Sequence, residues 1–120
     1  MTTDESPTGE TAKLTFTGDV TRSLLIVDDD APFRIRLARA MEKRGFNVVA
    51  VDSVQLGIEV AQESAPAFAV VDLRLADGSG LDVVKTLRDA RPDARIVMLT
   101  GYGNIATAVA AVKAGAVDYL

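Results

Sequence analysis

Four short runs, at positions 24–27, 46–51, 67–71 and 95–99, are apolar or nearly so, and each leads into a longer segment whose apolar residues recur at helical spacing. A run of four to six residues with no polar alternation is what a strand buried on both faces requires. Strand and helix therefore alternate along the chain, which predicts an α/β fold with a parallel sheet covered on both sides. Right-handed crossovers favour the doubly wound, flavodoxin-like arrangement with strand order 2-1-3-4-5. A fifth strand begins at residues 116–120, where the chain stops, so the sheet is expected to be truncated within strand 5 and to lack helix 5.

The intervening segments carry their own punctuation. In the first helix Phe33, Leu37, Ala40 and Met41 share a face, and Arg34, Arg36, Arg39, Lys43 and Arg44 occupy the rest. Asp30 suits its cap, Pro32 its first turn and Gly45 its end. Asp52 with Gln55 resembles a capping pair for a second helix to about Glu63, with Val54, Ile58 and Ala61 as its stripe. Gly57 inside that helix costs about 1 kcal/mol relative to Ala. Ser79 with Asp82 reads as a capping box for a third helix with Leu81, Val84 and Leu87 facing the core, stopped by Arg91-Pro92. Gly101-Tyr102-Gly103-Asn104 turns into a fourth, with Ile105, Val109 and Val112 on one side and Gly115 at its end. Residues 1–22, rich in Thr, Gly and acids, read as a flexible leader with a short accessory strand at 13–17; residues 23–120 form the domain.

With no Cys and no His, the chain has no disulfide, thiol nucleophile, imidazole base or the commonest zinc ligands. Its chemistry must rest on carboxylates, hydroxyls, Lys, Arg and backbone, and the metals to expect are hard, oxygen-preferring cations such as Mg2+. A net charge of -4 argues against nucleic-acid binding by this piece. The start has no basic segment followed by an apolar one, and no run approaches the roughly 18 apolar residues of a membrane span. A cytoplasmic location without membrane association is expected.

The runs end in Asp28-Asp29-Asp30, in Asp72 and in Thr100. In the expected strand order these ends are neighbours about 4.8 Å apart, so Asp28, Asp29 and Asp72 must crowd together. Like charges about 4 Å apart repel by roughly 4 kcal/mol at an effective dielectric near 20, and a divalent cation resolves the conflict. Mg2+ takes one or two carboxylates with waters and phosphate oxygens. Asp72, central in the group, is the candidate nucleophile for phosphoryl transfer, with the Thr100 hydroxyl and the Gly101 N–H as donors to the transferred group.

Five stretches in order, Leu25-Ile26-Val27-Asp28-Asp29-Asp30, Val70-Val71-Asp72-Leu73-Arg74, Asp77-Gly78-Ser79-Gly80-Leu81, Met98-Leu99-Thr100-Gly101-Tyr102-Gly103 and Ala114-Gly115-Ala116-Val117-Asp118-Tyr119-Leu120, resemble the CheY-like receiver domain of two-component response regulators. Ala31-Pro32-Phe33-Arg34 and the stretch from Thr100 to Val109 further resemble the RegA/PrrA/ActR group of redox-responsive global regulators. The resemblance implies Asp72 as phosphoacceptor, Mg2+ on Asp29, Asp72 and the Arg74 carbonyl with Asp28 acting through water, and Thr100 with Tyr119 as a switch pair. It also implies a sensor histidine kinase as donor and an output domain, often DNA-binding, that reads the change. The basic face of the first helix, Arg34, Arg36 and Arg39, is a candidate docking face for that kinase. Arg74 and Tyr102, flanking the expected water approach, imply slow self-hydrolysis.

Two departures from the family pattern stand out. Ala76 replaces the usual Pro, and the family's phosphoryl-pairing Lys would fall just beyond Leu120, so the chain reads as a fragment, expected to self-associate through its incomplete fifth-strand edge. Two further functions make different predictions. A haloacid-dehalogenase-type phosphatase would use Asp28 of the Asp-x-Asp as nucleophile, and a non-switching interaction module would not respond to phosphate at all.

Overall fold

The computed structural model of the chain describes residue 16 and residues 20–99, 105–114 and 118–119. A 3-10 turn at Val20–Arg22 leads into β1 (Ser23–Val27), α1 (Ala31–Glu42), β2 (Asn47–Val51), α2 (Val54–Ser64) and β3 (Phe68–Asp72). Two short strands, β4 (Arg74–Leu75) and β5 (Gly78–Ser79), precede α3 (Leu81–Ala90), β6 (Arg95–Leu99), α4 (Ile105–Ala114) and β7 (Asp118–Tyr119). Five strands form one parallel sheet in the order β2-β1-β3-β6-β7. β4 and β5 pair only with each other, antiparallel, in a stretch that reads from sequence as a loop. With them set aside, the expected order 2-1-3-4-5 is the one observed.

All five residues of β1 are buried, because the strand has a neighbour on each side and helices cover both its faces. Alternate side chains divide between two cores: Leu25, Val27 and Val71 face α2 and α3, while Leu24, Ile26 and Val70 face α1 and α4. β3–α3–β6 and β6–α4–β7 step across the sheet in the same direction, yet α3 packs with α2 and α4 packs with α1. The last crossover is therefore opposite in hand to the one before it, a departure from the uniform right-handedness expected from sequence. The packing shows what this achieves: Ala108, Val109 and Val112 of α4 seal the side of the sheet presenting Val70, Val97 and Leu99.

At the helix ends the structure corrects several expectations. Asp30 caps α1 as expected, accepting from the Phe33 N–H at 3.2 Å. Gly45, at φ +89°, lies in the turn that follows the helix. α2, however, is capped by Ser53, whose Oγ accepts from the Leu56 N–H at 3.2 Å; Asp52 lies one residue too early. No capping box forms on α3. Its N-cap is Gly80, and Ser79 Oγ instead accepts from the nearby Leu81 N–H. Gly80 also lies at a close approach, since a Cβ there would fall 2.0 Å from the Asp72 carbonyl oxygen, so this N-cap position admits no side chain. Leu81 is consequently 49% exposed and Val83 takes its place in the core beside Val84 and Leu87. In α2 the glycine has a packing reason, since a Cβ on Gly57 would meet Val83 Cγ2 at 2.9 Å and Val27 Cγ2 at 3.1 Å.

Candidate acidic site at the carboxyl ends of the strands

Sheet register builds the site. Val27 of β1 is level with Val71 of β3, so the next residues, Asp28 and Asp72, leave the sheet side by side. Each residue of the acidic triplet then takes a different local role. Asp28 donates its N–H to the Val51 carbonyl, and its Oδ1 accepts from the Asp30 N–H at 2.9 Å. Asp30 turns away to cap α1, while Asp29 is exposed beside the hairpin. One carboxylate oxygen from each of Asp28, Asp29 and Asp72 lies within 4.8 Å of the other two.

Such crowding is electrostatically unfavourable, and the acidities record it. Burial, with Asp28 only 5% exposed, raises its pKa to about 6; the Asp30 N–H opposes this, and the charges of Asp72, Asp30 and Asp29 add to it. Asp72 is also raised, first by burial and then by Asp29 and Asp30, against the lowering influence of the Arg74 N–H and guanidinium. Arg34 Nη1 donates to the Asp28 carbonyl at 2.8 Å, tying a cation of α1 to this end of the sheet. An all-oxygen set of three carboxylates, two of them held above their ordinary acidity range, fits a small hard divalent cation.

The segment after Asp72 is closely fastened. Arg74 donates its N–H to Asp72 Oδ1 at 2.9 Å, Leu73 to the Leu99 carbonyl, and Gly80 to the Leu73 carbonyl. Ala76 donates to Asp29 Oδ2 at 3.1 Å, and the Asp77 carboxylate accepts from the Val54 and Gln55 N–H groups of α2. The structure thus brings together Asp28, Asp29, Asp72 and the Arg74 backbone. Thr100, Gly101, Tyr102 and the Gly115 helix stop lie outside the described residues, as does most of the leader; the Tyr119 backbone pairs with Met98. Sequence reading missed Arg34, Ala76 and Asp77 as parts of this region. Only Asp77 carried a signal, as an acidic residue in a turn that can cap a helix distant in sequence. At the opposite end of the strands a cavity of about 410 Å³ is lined by Arg22, Arg44, Phe46, Phe68, Arg95 and neighbours, remote from the carboxylates. Arg22 is held there by the Gly45 and Arg44 carbonyls and stacks 4.2 Å from the Phe46 ring centroid.

The family model of the response regulator receiver domain matches residues 24–120. The chain belongs to this family. It is 69% identical over 98 residues to the photosynthetic apparatus regulatory protein RegA of Rhodovulum sulfidophilum, covering 82% of the chain and 54% of that protein. It is 63% identical over 99 residues to the acid tolerance regulatory protein ActR of Rhizobium meliloti (strain 1021), covering 82% and 51%. The chain is thus a receiver of the RegA/ActR group and spans about half the length of these relatives. Among solved structures it resembles a response regulator from Burkholderia pseudomallei with a phosphorylated aspartic acid, calcium ion and citrate, at 43% identity and a TM-score of 0.66, covering 82% of this chain and 58% of that one. No helix among the described residues of this receiver is long and apolar enough to cross a membrane.

Proposed function

We propose that this receiver accepts a phosphoryl group on Asp72 from a sensor histidine kinase, with Mg2+ bound, and passes the change to a transcriptional output domain. The observation that carries this reading is the juxtaposition of three carboxylates within 4.8 Å at one edge of a parallel sheet, with Asp72 the last residue of β3, the strand next to β1. The similar Burkholderia pseudomallei protein, with its phosphorylated aspartic acid and calcium ion, supports the same chemistry here.

Asp28, Asp29, Asp72 and the Arg74 carbonyl would hold the cation. Bound Mg2+ would neutralise the carboxylate cluster and the charge on the transferring phosphoryl oxygens. Asp72 Oδ1 accepts from the Arg74 N–H, and Oδ2 is taken here as the attacking oxygen. A bond forms from Oδ2 to phosphorus as the bond from phosphorus to the donor breaks, and the donor group leaves with that electron pair. The Thr100 hydroxyl and Gly101 N–H receive the new phosphoryl oxygens, Tyr119 completes the switch with Thr100, and loss of the group proceeds by slow self-hydrolysis. The phosphatase reading is the weaker one: Asp28 is buried and its Oδ1 is held by the Asp30 N–H, whereas Asp72 is only part-buried at the strand end.

Labelling with acetyl phosphate in Mg2+ tests the assignment. Wild type acquires an acid-stable, hydroxylamine-labile phosphoryl group and Asp72→Asn does not. Persistent labelling of that variant, or a label mapped to Asp28, overturns the proposal.

A further inference from the structure

The end of the sheet opposite the carboxylates carries the reverse charge, and carries it in a concave site. Four cations, Arg22, Arg44, Arg95 and Lys113, and two aromatic rings, Phe46 and Phe68, line the cavity of about 410 Å³ there; among the described residues no carboxylate does. In a chain of net charge -4 that is a strong local excess of the opposite sign. The volume falls within the range of small-molecule pockets, about 300–1,000 Å³.

Two of the cations have an ordinary reason for their place. Arg44 follows the C-cap of α1 and Lys113 lies in the last turn of α4, where the helix dipole favours positive charge. Arg22 and Arg95 do not share it, since Arg22 ends the 3-10 turn before β1 and Arg95 is the first residue of β6. Arg95 is level with Phe68 in the parallel register of β3 and β6, so both side chains leave the same face of the sheet, the one covered by α1 and α4. Four cations from four separate elements thus converge on one cavity.

The wall is also pre-organised. Arg22 donates from Nε to the Gly45 carbonyl and from Nη2 to the Arg44 carbonyl, both at 3.0 Å, and its guanidinium stacks 4.2 Å from the Phe46 ring centroid. The two carbonyls that would repel an anion beside the cavity are therefore already covered by a cation. Phe46 and Phe68 meet edge to face, with centroids 5.1 Å apart and planes at 89°, and Phe68 is only half-buried.

We infer that this cavity binds a small anion with a flat aromatic body, of the nucleoside monophosphate type: the cations take the charged group, and the Phe46–Phe68 pair packs against the ring. An inorganic anion would leave the two rings and most of the volume unused. The site lies at the amino ends of the strands and shares no residue with Asp28, Asp29 or Asp72, so it is separate from phosphoryl acceptance.

Isothermal titration calorimetry of the chain in EDTA, which excludes metal-bridged contact with the acidic site, compares AMP, inorganic phosphate and adenosine. AMP should saturate the protein below about 1 mM, and its affinity should fall as salt is raised. A charge-assisted contact and a stacked ring are each worth about tenfold or more, so phosphate and adenosine should each bind at least about tenfold more weakly than AMP. Lys113→Glu, and Phe68→Leu, which keeps an apolar side chain at the start of β3, should each weaken AMP about tenfold, while Asp72→Asn binds it as wild type does. Lys113 is exposed, so its reversal leaves the fold intact and decides the question should Phe68→Leu destabilise the sheet. Failure of AMP to saturate, phosphate or adenosine binding as tightly as AMP, or wild-type affinity in Lys113→Glu overturns the proposal. Loss of AMP binding in Asp72→Asn also overturns it, by placing the nucleotide at the acidic edge. A peptide of alternating Glu and Phe that binds more tightly than AMP, and is lost in Lys113→Glu, overturns it in favour of a protein segment as the occupant.

Discussion

Asp28→Asn should stabilise the metal-free receiver at neutral pH, although it removes a central residue of the candidate site. Folding places Asp28 under β1 with a pKa of about 6, against 3.8 for an ordinary carboxyl. Between those values the folded state retains a proton that the unfolded chain has released. The stability associated with Asp28 is therefore complete below about pH 4 and is lost as pH rises through about 6. At about 1.4 kcal/mol per pH unit the loss is about 3 kcal/mol as an upper bound. Asn matches Asp in shape and keeps an oxygen for the Asp30 N–H, so it removes the charge without orphaning that donor. Urea unfolding in EDTA at pH 4 and pH 7.5 measures the effect. The two proteins should be nearly equal at pH 4, with the variant ahead by up to about 3 kcal/mol at pH 7.5, or about 4 °C in Tm per kcal/mol. Adding Mg2+ should narrow the gap by stabilising wild type, which keeps the charged ligand. Asp72, raised in the same direction, leaves some pH dependence in both proteins, so the test rests on their difference. A variant less stable than wild type at pH 7.5 without metal, or a constant difference between the two pH values, would refute the reasoning.

Gly57→Ala pits helix propensity, about 1 kcal/mol in favour of Ala, against an overpacking cost of roughly 1–3 kcal/mol where the new methyl meets Val83 and Val27. A net loss of about 1 kcal/mol is expected in thermal unfolding, and a stabilised variant would show that α2 does not lie this close to β1. Gly80→Ala is the harsher change, since its Cβ would fall 2.0 Å from a backbone oxygen that cannot move independently. We expect a loss of about 3 kcal/mol or more together with weakened Mg2+ binding; an unchanged urea midpoint would contradict the close approach.

Much of this architecture was legible in the residues. Strands buried on both faces must be apolar throughout, so the runs at 24–27 and 67–71 announced themselves, and parallel strands must end at the same edge, so Asp28, Asp29 and Asp72 could be placed together before any contact was known. Helix starts were less legible. Ser53 rather than Asp52 caps α2, and Gly80 rather than Ser79 begins α3, because the first turn forms where packing fixes the backbone, and neighbouring capping residues compete on nearly equal terms. Leu81 and Val83 exchanged places for the same reason. Gly57 looked like a propensity defect and proved to be a contact with Val27 and Val83.

The sequence by itself determined the alternation of the main strands and helices and the edge of the sheet that carries charge, since these follow from periodicity and chain direction. Only the tertiary structure decided which face α4 covers, that Arg34 reaches the Asp28 carbonyl, and that Ala76 and Asp77 fasten one hairpin to both Asp29 and α2. Those facts depend on distances between residues far apart in the chain, and no local pattern of apolar and polar residues encodes a distance.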